Sequence, residues 1–247
     1  MKELLDKLAN EKNSFYALNE HPDPLQVAKK YQNDKNFYII ALLCALFAYG
    51  NARAIVKFLN SFDFSLLDKN DLANVDYVYR FQNKEDIKQI LLTMQNFKNK
   101  HCLKEFCENS YKKNYKKENV LLYVIFDLIK EIYSLNDYNS NGYSFYFSKI
   151  NNSSAYKRYC MFFRWMVRKD ELDFGCFNQI STKDLLIPLD THTHKMGLKL
   201  QLIKSKQANQ KAMLEFSKKL KEFDKNDPIK YDFALYRISQ LKDYHLL

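Results

Sequence analysis

Residues that favour tight turns are scarce in this chain, which has only four glycines and four prolines among 247 residues. A many-stranded β protein needs such residues at most of its strand junctions. Nucleotide-binding loops need several glycines close together, and Gly50, Gly142, Gly175 and Gly197 are far apart. The sequence therefore excludes nucleotide-cradling folds and argues against an all-β fold.

Apolar residues recur at helical spacing along most of the chain, whereas strand-like alternation is confined to residues 75–81 and 143–147. The helical segments are residues 4–18, 86–97, 120–132, 159–167, 198–203 and 213–223. No internal repeat or flexible linker interrupts them. The pattern predicts an all-α protein.

The longest apolar run, residues 37–49, is apolar on every side, as expected for a helix at the centre of a core. It is shorter than the roughly 20 residues that span a bilayer. The first residues also lack the apolar segment of a secretory signal. We expect a cytoplasmic protein that binds no membrane.

The formal net charge is +10, which favours a polyanionic partner such as nucleic acid. Three of the six arginines, Arg158, Arg164 and Arg168, lie in one short segment. They are candidates for phosphate contacts or, equally, for ion pairs with Asp170, Glu171 or Asp173. The five cysteines show no metal-binding spacing, so we expect free thiols and no cofactor.

Lys157 occupies a position where a lysine can act chemically. Ser153 or Ser154 is predicted to cap the helix that follows, which places Lys157 in its first turn. The helix dipole disfavours an ammonium there, so in a partly dry cleft Lys157 could act as an amine nucleophile. From the spacing alone, a solvated lysine near a helix start is the favoured explanation.

Asp190 follows Pro188 and precedes a periodic segment, which predicts that it caps a helix. If the segment were a strand, Asp190, His192 and His194 would alternate on one face as metal ligands. No parallel strands surround them to complete a metal-hydrolase barrel. In a helix, the two histidines point about 200 degrees apart and cannot share an ion.

Several motifs together resemble a bacterial family, the domain-of-unknown-function 2400 proteins. They are Phe47-Ala48-Tyr49-Gly50, Tyr79-Arg80-Phe81, residues 163–168 (Phe-Arg-Trp-Met-Val-Arg), residues 187–192 (Ile-Pro-Leu-Asp-Thr-His) and residues 227–235 (Asp-Pro-Ile-Lys-Tyr-Asp-Phe-Ala-Leu). That family is in turn similar to the helix-hairpin-helix–GPD superfamily of DNA glycosylases. The spacing of Lys157 and Asp190 looks more like the archaeal 8-oxoguanine glycosylase branch than like most members.

The resemblance implies one glycosylase-like unit of two helical lobes, with residues 35–150 in one lobe and residues 1–34 with 151–247 in the other. Lys157 stands where bifunctional glycosylases carry their nucleophile, and Asp190 where the superfamily carries its catalytic aspartate. The resemblance also implies further roles. It would place Asp232 and Tyr236 in the base pocket. Trp165, the only tryptophan, is expected in the core, with stacking on a base in this pocket as the alternative. The candidates for DNA contacts are Ser153, Ser154, Arg158, Arg164, Arg168 and His192.

The sequence departs from the superfamily at the hairpin. Relatives carry a glycine-rich turn whose amides bind a phosphate, whereas residues 151–154 here are Asn-Asn-Ser-Ser. Asparagine tolerates the left-handed conformation best among non-glycine residues, so a turn can still form. The four-cysteine iron–sulfur motif of several relatives is also missing, so no cluster is expected.

The leading expectation is a monomeric glycosylase and abasic-site lyase that removes an oxidised purine, such as 8-oxoguanine, from double-stranded DNA. A non-catalytic helical protein that binds nucleic acid is the first alternative. A metal-dependent hydrolase that uses Asp190, His192 and His194 is the second.

Overall fold

The structure is a computed structural model that describes residues 1–246. Within these residues every regular element is helical and no strand forms, which confirms the all-α prediction. The α-helices are α1 (Lys2–Lys12), α2 (Phe15–Asn19), α3 (Pro24–Lys30), α4 (Phe37–Leu46), α5 (Ala52–Ser61), α6 (Lys84–Lys100), α7 (Leu103–Asn114), α8 (Val120–Ser134), α9 (Asn141–Phe147), α10 (Lys157–Val167), α11 (Thr191–Lys199), α12 (Gln210–Phe223) and α13 (Asp232–Leu241).

The chain forms two compact units, each built from its own helices. Unit 1 contains Met1–His21 and the chain from Asn151 onward, and unit 2 contains Pro22–Ile150. We expected the first boundary after residue 34. The structure has it after His21, because α3 packs against α4 and α5 of unit 2.

The core of unit 2 is centred on α4, where every residue but Tyr38 is buried. The expectation of a core helix in this run is confirmed, although the helix ends at Leu46 rather than at residue 49. Phe47 and Ala48 remain buried beyond its end. No helix in residues 1–246 combines the length and the apolar composition that a bilayer span requires.

Neither of the two segments with strand-like alternation forms a strand. Residues 143–147 belong to α9, because Ser140 accepts a hydrogen bond from the Tyr143 amide and caps the helix. Tyr143, Tyr146 and Phe147 then share a buried face at helical spacing. Residues 75–81 form no strand, and only one isolated bridge, between Tyr79 and Gln82, occurs there.

Unit 1 places α11 against α13, and α13 against α1. The helix expected over residues 4–18 is two helices, because Ser14 ends the first and caps α2 through a hydrogen bond from the Ala17 amide. In α10 the predicted apolar face is buried, and it includes Tyr159, Phe162 and Met166. Unit 1 therefore holds α10 and α11, the two helices that carry Lys157 and Asp190.

Candidate functional site

A self-closed turn leads into α10. The Asn151 side-chain oxygen accepts hydrogen bonds from the amides of Ser153 at 2.9 Å and Ser154 at 2.7 Å. The Tyr156 hydroxyl donates to the Asn151 carbonyl at 2.9 Å and accepts from the Asn151 amide at 2.7 Å. The turn is therefore closed by hydrogen bonds of the Asn151 and Tyr156 side chains.

This turn changes two expectations about the hairpin. The N-cap of α10 is Tyr156, in the left-handed conformation at φ 45°, so neither Ser153 nor Ser154 caps the helix. The amides of both serines are occupied by Asn151, so they cannot form the phosphate grip that glycine-rich hairpins make with theirs. That the side chains of Ser153 and Ser154 contact DNA remains a prediction.

Lys157 lies in the first turn of α10, as expected, and is its first residue; its side chain is 28% exposed. The conformation of Tyr156 determines where the helix begins and therefore where this lysine lies. Tyr156 could not be singled out from the sequence, because left-handed backbone at a bulky residue is uncommon.

Asp190 caps α11, and this prediction is confirmed. One carboxylate oxygen, Oδ1, accepts a hydrogen bond from the Thr193 amide at 2.8 Å. The preceding residues 185–189 are buried, and the Ile187 amide donates to the Ser217 hydroxyl at 2.9 Å. A segment fixed in this way leaves little freedom to the carboxylate that follows it.

The structure brings Lys157 and Asp190 together. The Lys157 Nζ atom lies 3.7 Å from the second carboxylate oxygen of Asp190, Oδ2, and the Asp190 side chain is 19% exposed. One oxygen of Asp190 therefore holds the helix start while the other faces the lysine. The pair combines an amine, a carboxylate and partial burial, which are the elements of a nucleophile with its own base.

Asp232 lies on α13 and is buried, with its carboxylate 2.8 Å from Arg164 Nη1. Burial raises its pKa to about 6, although the charge of Arg164 acts in the opposite direction. The negative charge of Asp190 also contributes to this raised pKa. Asp232 thus belongs to the electrostatic surroundings of the Lys157–Asp190 pair.

Arg164 and Arg168 are buried and ion-paired, so the alternative of phosphate contacts is excluded for both. Arg164 also pairs with Asp173, at 3.2 Å from Nε. Arg168 pairs with Asp173 and Asp170, and its Nε lies 2.9 Å from Asp227. Asp173 between the two arginines was an expected partner, whereas Asp227 and Asp232 were not. Arg158 is half-buried on the first turn of α10, and its DNA contact remains a prediction.

Trp165 is buried in the core of unit 1, with 2% of its surface exposed, so it offers no face for stacking on a base. The expectation of a core residue is therefore confirmed, because every residue of α10 from Tyr159 to Val167 except Met161 is buried. Tyr236 is half-buried one turn after Asp232 and contacts the edge of the His192 ring, with the ring centres 5.7 Å apart. The base-pocket role of Tyr236 remains a prediction.

Asp190, His192 and His194 do not form a metal site. They lie on a helix rather than a strand, and His194 Nε2 is 2.9 Å from the Ser205 carbonyl oxygen. Within residues 1–246 no three His, Cys, Asp or Glu side chains lie close enough to share an ion. The metal-hydrolase alternative therefore lacks its ligand set.

Residues 23–241 match a family described as "Protein of unknown function (DUF2400)". No curated protein and no solved structure matches the chain. The match covers most of the sequence, including α10, α11 and α13 with Lys157, Asp190 and Asp232. The chain therefore belongs to the domain-of-unknown-function 2400 family.

Proposed function

We propose that this chain is a bifunctional DNA glycosylase and abasic-site lyase that removes an oxidised purine, with 8-oxoguanine as the first candidate. The observation that carries the proposal is the 3.7 Å separation of Lys157 Nζ and Asp190 Oδ2, two residues far apart in sequence. The resemblance of both segments to the glycosylase superfamily supplies the reaction. The net charge of +10 suits a DNA substrate.

The chemistry follows from the pair. A damaged base must be flipped out of the duplex before its glycosidic bond can be reached. Positive charge develops on the sugar as this bond breaks, and the carboxylate of Asp190 stabilises it. Asp190 also accepts a proton from Lys157, which leaves the amine free to attack.

The proposed reaction has three steps: base release, Schiff-base formation and strand cleavage. Nζ of Lys157 forms a bond to C1′ while the bond from C1′ to the base breaks, and the base leaves with the electron pair and takes up a proton. Opening of the sugar ring, with loss of a proton from Nζ, gives a Schiff base. Loss of a C2′ proton then expels the phosphate at C3′ and cleaves the strand.

Borohydride trapping tests the proposal, because it reduces a Schiff base to a stable amine. The protein is incubated with a duplex that contains one 8-oxoguanine, and covalent complexes are separated on a denaturing gel. We expect an adduct with the wild-type protein, none with Lys157→Gln, and a strong loss with Asp190→Asn, which cannot accept the proton.

Lys218→Gln is the matched control, because Lys218 is an exposed lysine on α12 of the same unit. It should form the adduct at the wild-type level. Loss of the adduct in Lys157→Gln alone supports the proposal. The absence of both adduct and base release from the wild-type protein, over a panel of oxidised and alkylated bases, would overturn it.

A further inference from the structure

A row of basic side chains runs along α11 from the site. His192, Lys195 and Lys199 are three and four residues apart, which places them on one face of the helix. The row begins within one turn of Asp190, the N-cap of the same helix. We refer to these three residues as the α11 stripe.

The two lysines of the α11 stripe, Lys195 and Lys199, are exposed. Within residues 1–246 no carboxylate pairs with either one, whereas several other lysines of unit 1, such as Lys230, do have such partners. Both ammonium groups instead approach the ring of Tyr244, at 5.1 Å for Lys195 and 4.9 Å for Lys199. Two like charges are thus held beside one aromatic ring.

The positive potential of this surface lowers the pKa of the neighbouring Tyr244 hydroxyl. A hydrogen bond from Lys195, another with Ser239 and the charge of Lys199 lower the pKa of Tyr244. Ser239 also lies 3.5 Å from Nδ1 of His192, which joins the first residue of the stripe to the same cluster. The surface therefore favours an anionic oxygen close to the two ammonium groups.

The spacing suits a nucleic-acid strand. Lys195 and Lys199 are separated by four residues, or about 6 Å along the helix axis. Successive phosphates of one DNA strand rise about 3.4 Å along the duplex axis, and because the strand also winds around that axis their separation in space is larger than this rise. Two lysines one turn apart on a helix face can thus contact successive phosphates of one strand.

We infer that the α11 stripe binds the phosphates of the DNA strand that presents the damaged nucleotide to Lys157 and Asp190. The inference rests on the proposed function, since it takes DNA as the substrate. It assigns Lys195 and Lys199 to binding of the strand rather than to the reaction at C1′.

The test compares salt dependence in two double variants with the same loss of charge. Lys195→Gln/Lys199→Gln removes the stripe, and Lys211→Gln/Lys218→Gln removes two exposed lysines that are seven residues apart on α12. Fluorescence anisotropy measures binding to a labelled duplex with a stable abasic-site analogue between 50 and 300 mM potassium chloride. Each lost phosphate contact should reduce the slope of log K against log salt by about 0.9.

We expect the stripe variant to lose about 1.8 from the slope and the α12 variant to keep the wild-type slope. Equal slopes for the two variants, or no DNA binding by the wild-type protein, would overturn the inference. Borohydride trapping of the wild-type protein distinguishes failure of the stripe inference from failure of the proposed function. If the wild-type protein forms an adduct but the two variants have equal slopes, only the DNA-binding role of the stripe is refuted. If the stripe variant has a reduced slope but the wild-type protein forms no adduct, only the lyase activity is refuted.

Discussion

Asp232 is a buried acid whose pKa is affected by the charge of Asp190. It is buried, it is 2.8 Å from Arg164, and its pKa is raised to about 6. The folded protein therefore holds this proton at a pH where the unfolded chain, with a pKa of 3.8, has released it. By linkage, the stability that this group contributes falls as pH rises from about 4 to about 6.

This linkage can be measured with Asp232→Asn, which cannot titrate. The free energy of unfolding in urea is determined for the wild-type protein and the variant at several pH values between 4 and 7. Relative to the variant, the wild-type protein should lose stability as pH rises through this window and then level off. A difference that stays constant over the window would contradict the raised pKa.

The candidate site residues could be predicted from the sequence more fully than the residues that contact them. Lys157 and Asp190 were selected because each stands in a segment that resembles a glycosylase, and the structure brings the two together. Asp173 was an expected partner of Arg164, whereas Asp232 could not be predicted, because it lies 68 residues away and only the tertiary fold brings it close. Trp165 was expected in the core, and its burial confirms this.

At the scale of an element, Asp190 serves both the helix and the proposed reaction. Its Oδ1 caps α11 and its Oδ2 faces Lys157. Asparagine caps helices about as well as aspartate, whereas alanine does not cap them. Substitutions at this one position can therefore separate the structural role from the chemical role.

We expect Asp190→Asn to keep the stability of the wild-type protein within about 0.5 kcal/mol, and Asp190→Ala to lose about 0.5–2 kcal/mol. Both variants should lose the borohydride adduct. Urea unfolding followed by circular dichroism gives the stabilities. A large stability loss in Asp190→Asn would show that the charge acts mainly through the fold, and trapping by Asp190→Asn at the wild-type level would remove the carboxylate from the reaction.

Long periodic helices could be predicted from the sequence, whereas short elements were set by local hydrogen bonds. The apolar pattern found α6, α8, α10 and α12, because each buries a continuous stripe. It failed for α9, a short helix whose start depends on the Ser140 side chain. It also placed the start of α10 too early, because Tyr156 adopts a left-handed conformation before the helix.

In the whole molecule, the residues of the proposed reaction lie in one of the two units. Unit 1 is formed by both ends of the sequence and contains the Lys157–Asp190 pair. Unit 2 is continuous and has its own core around α4. The sequence indicated two lobes only through the resemblance, since composition does not change at either boundary.

Because unit 2 is continuous and has a complete core, residues 22–150 alone should fold. We expect a helical circular dichroism spectrum and a single cooperative unfolding transition for this fragment. The fragment should form no borohydride adduct, because both Lys157 and Asp190 are absent from it. A fragment that is unfolded, or that melts without cooperativity, would contradict the independence of its core.

The central claim is that Lys157 is the nucleophile of a glycosylase and lyase. Its most direct test is peptide mapping by mass spectrometry of the wild-type protein after borohydride trapping on DNA with 8-oxoguanine and subsequent nuclease digestion. We predict a deoxyribose-derived remnant on Lys157 alone. A remnant on another lysine, or none after the lesion panel has also been tested, would contradict the claim.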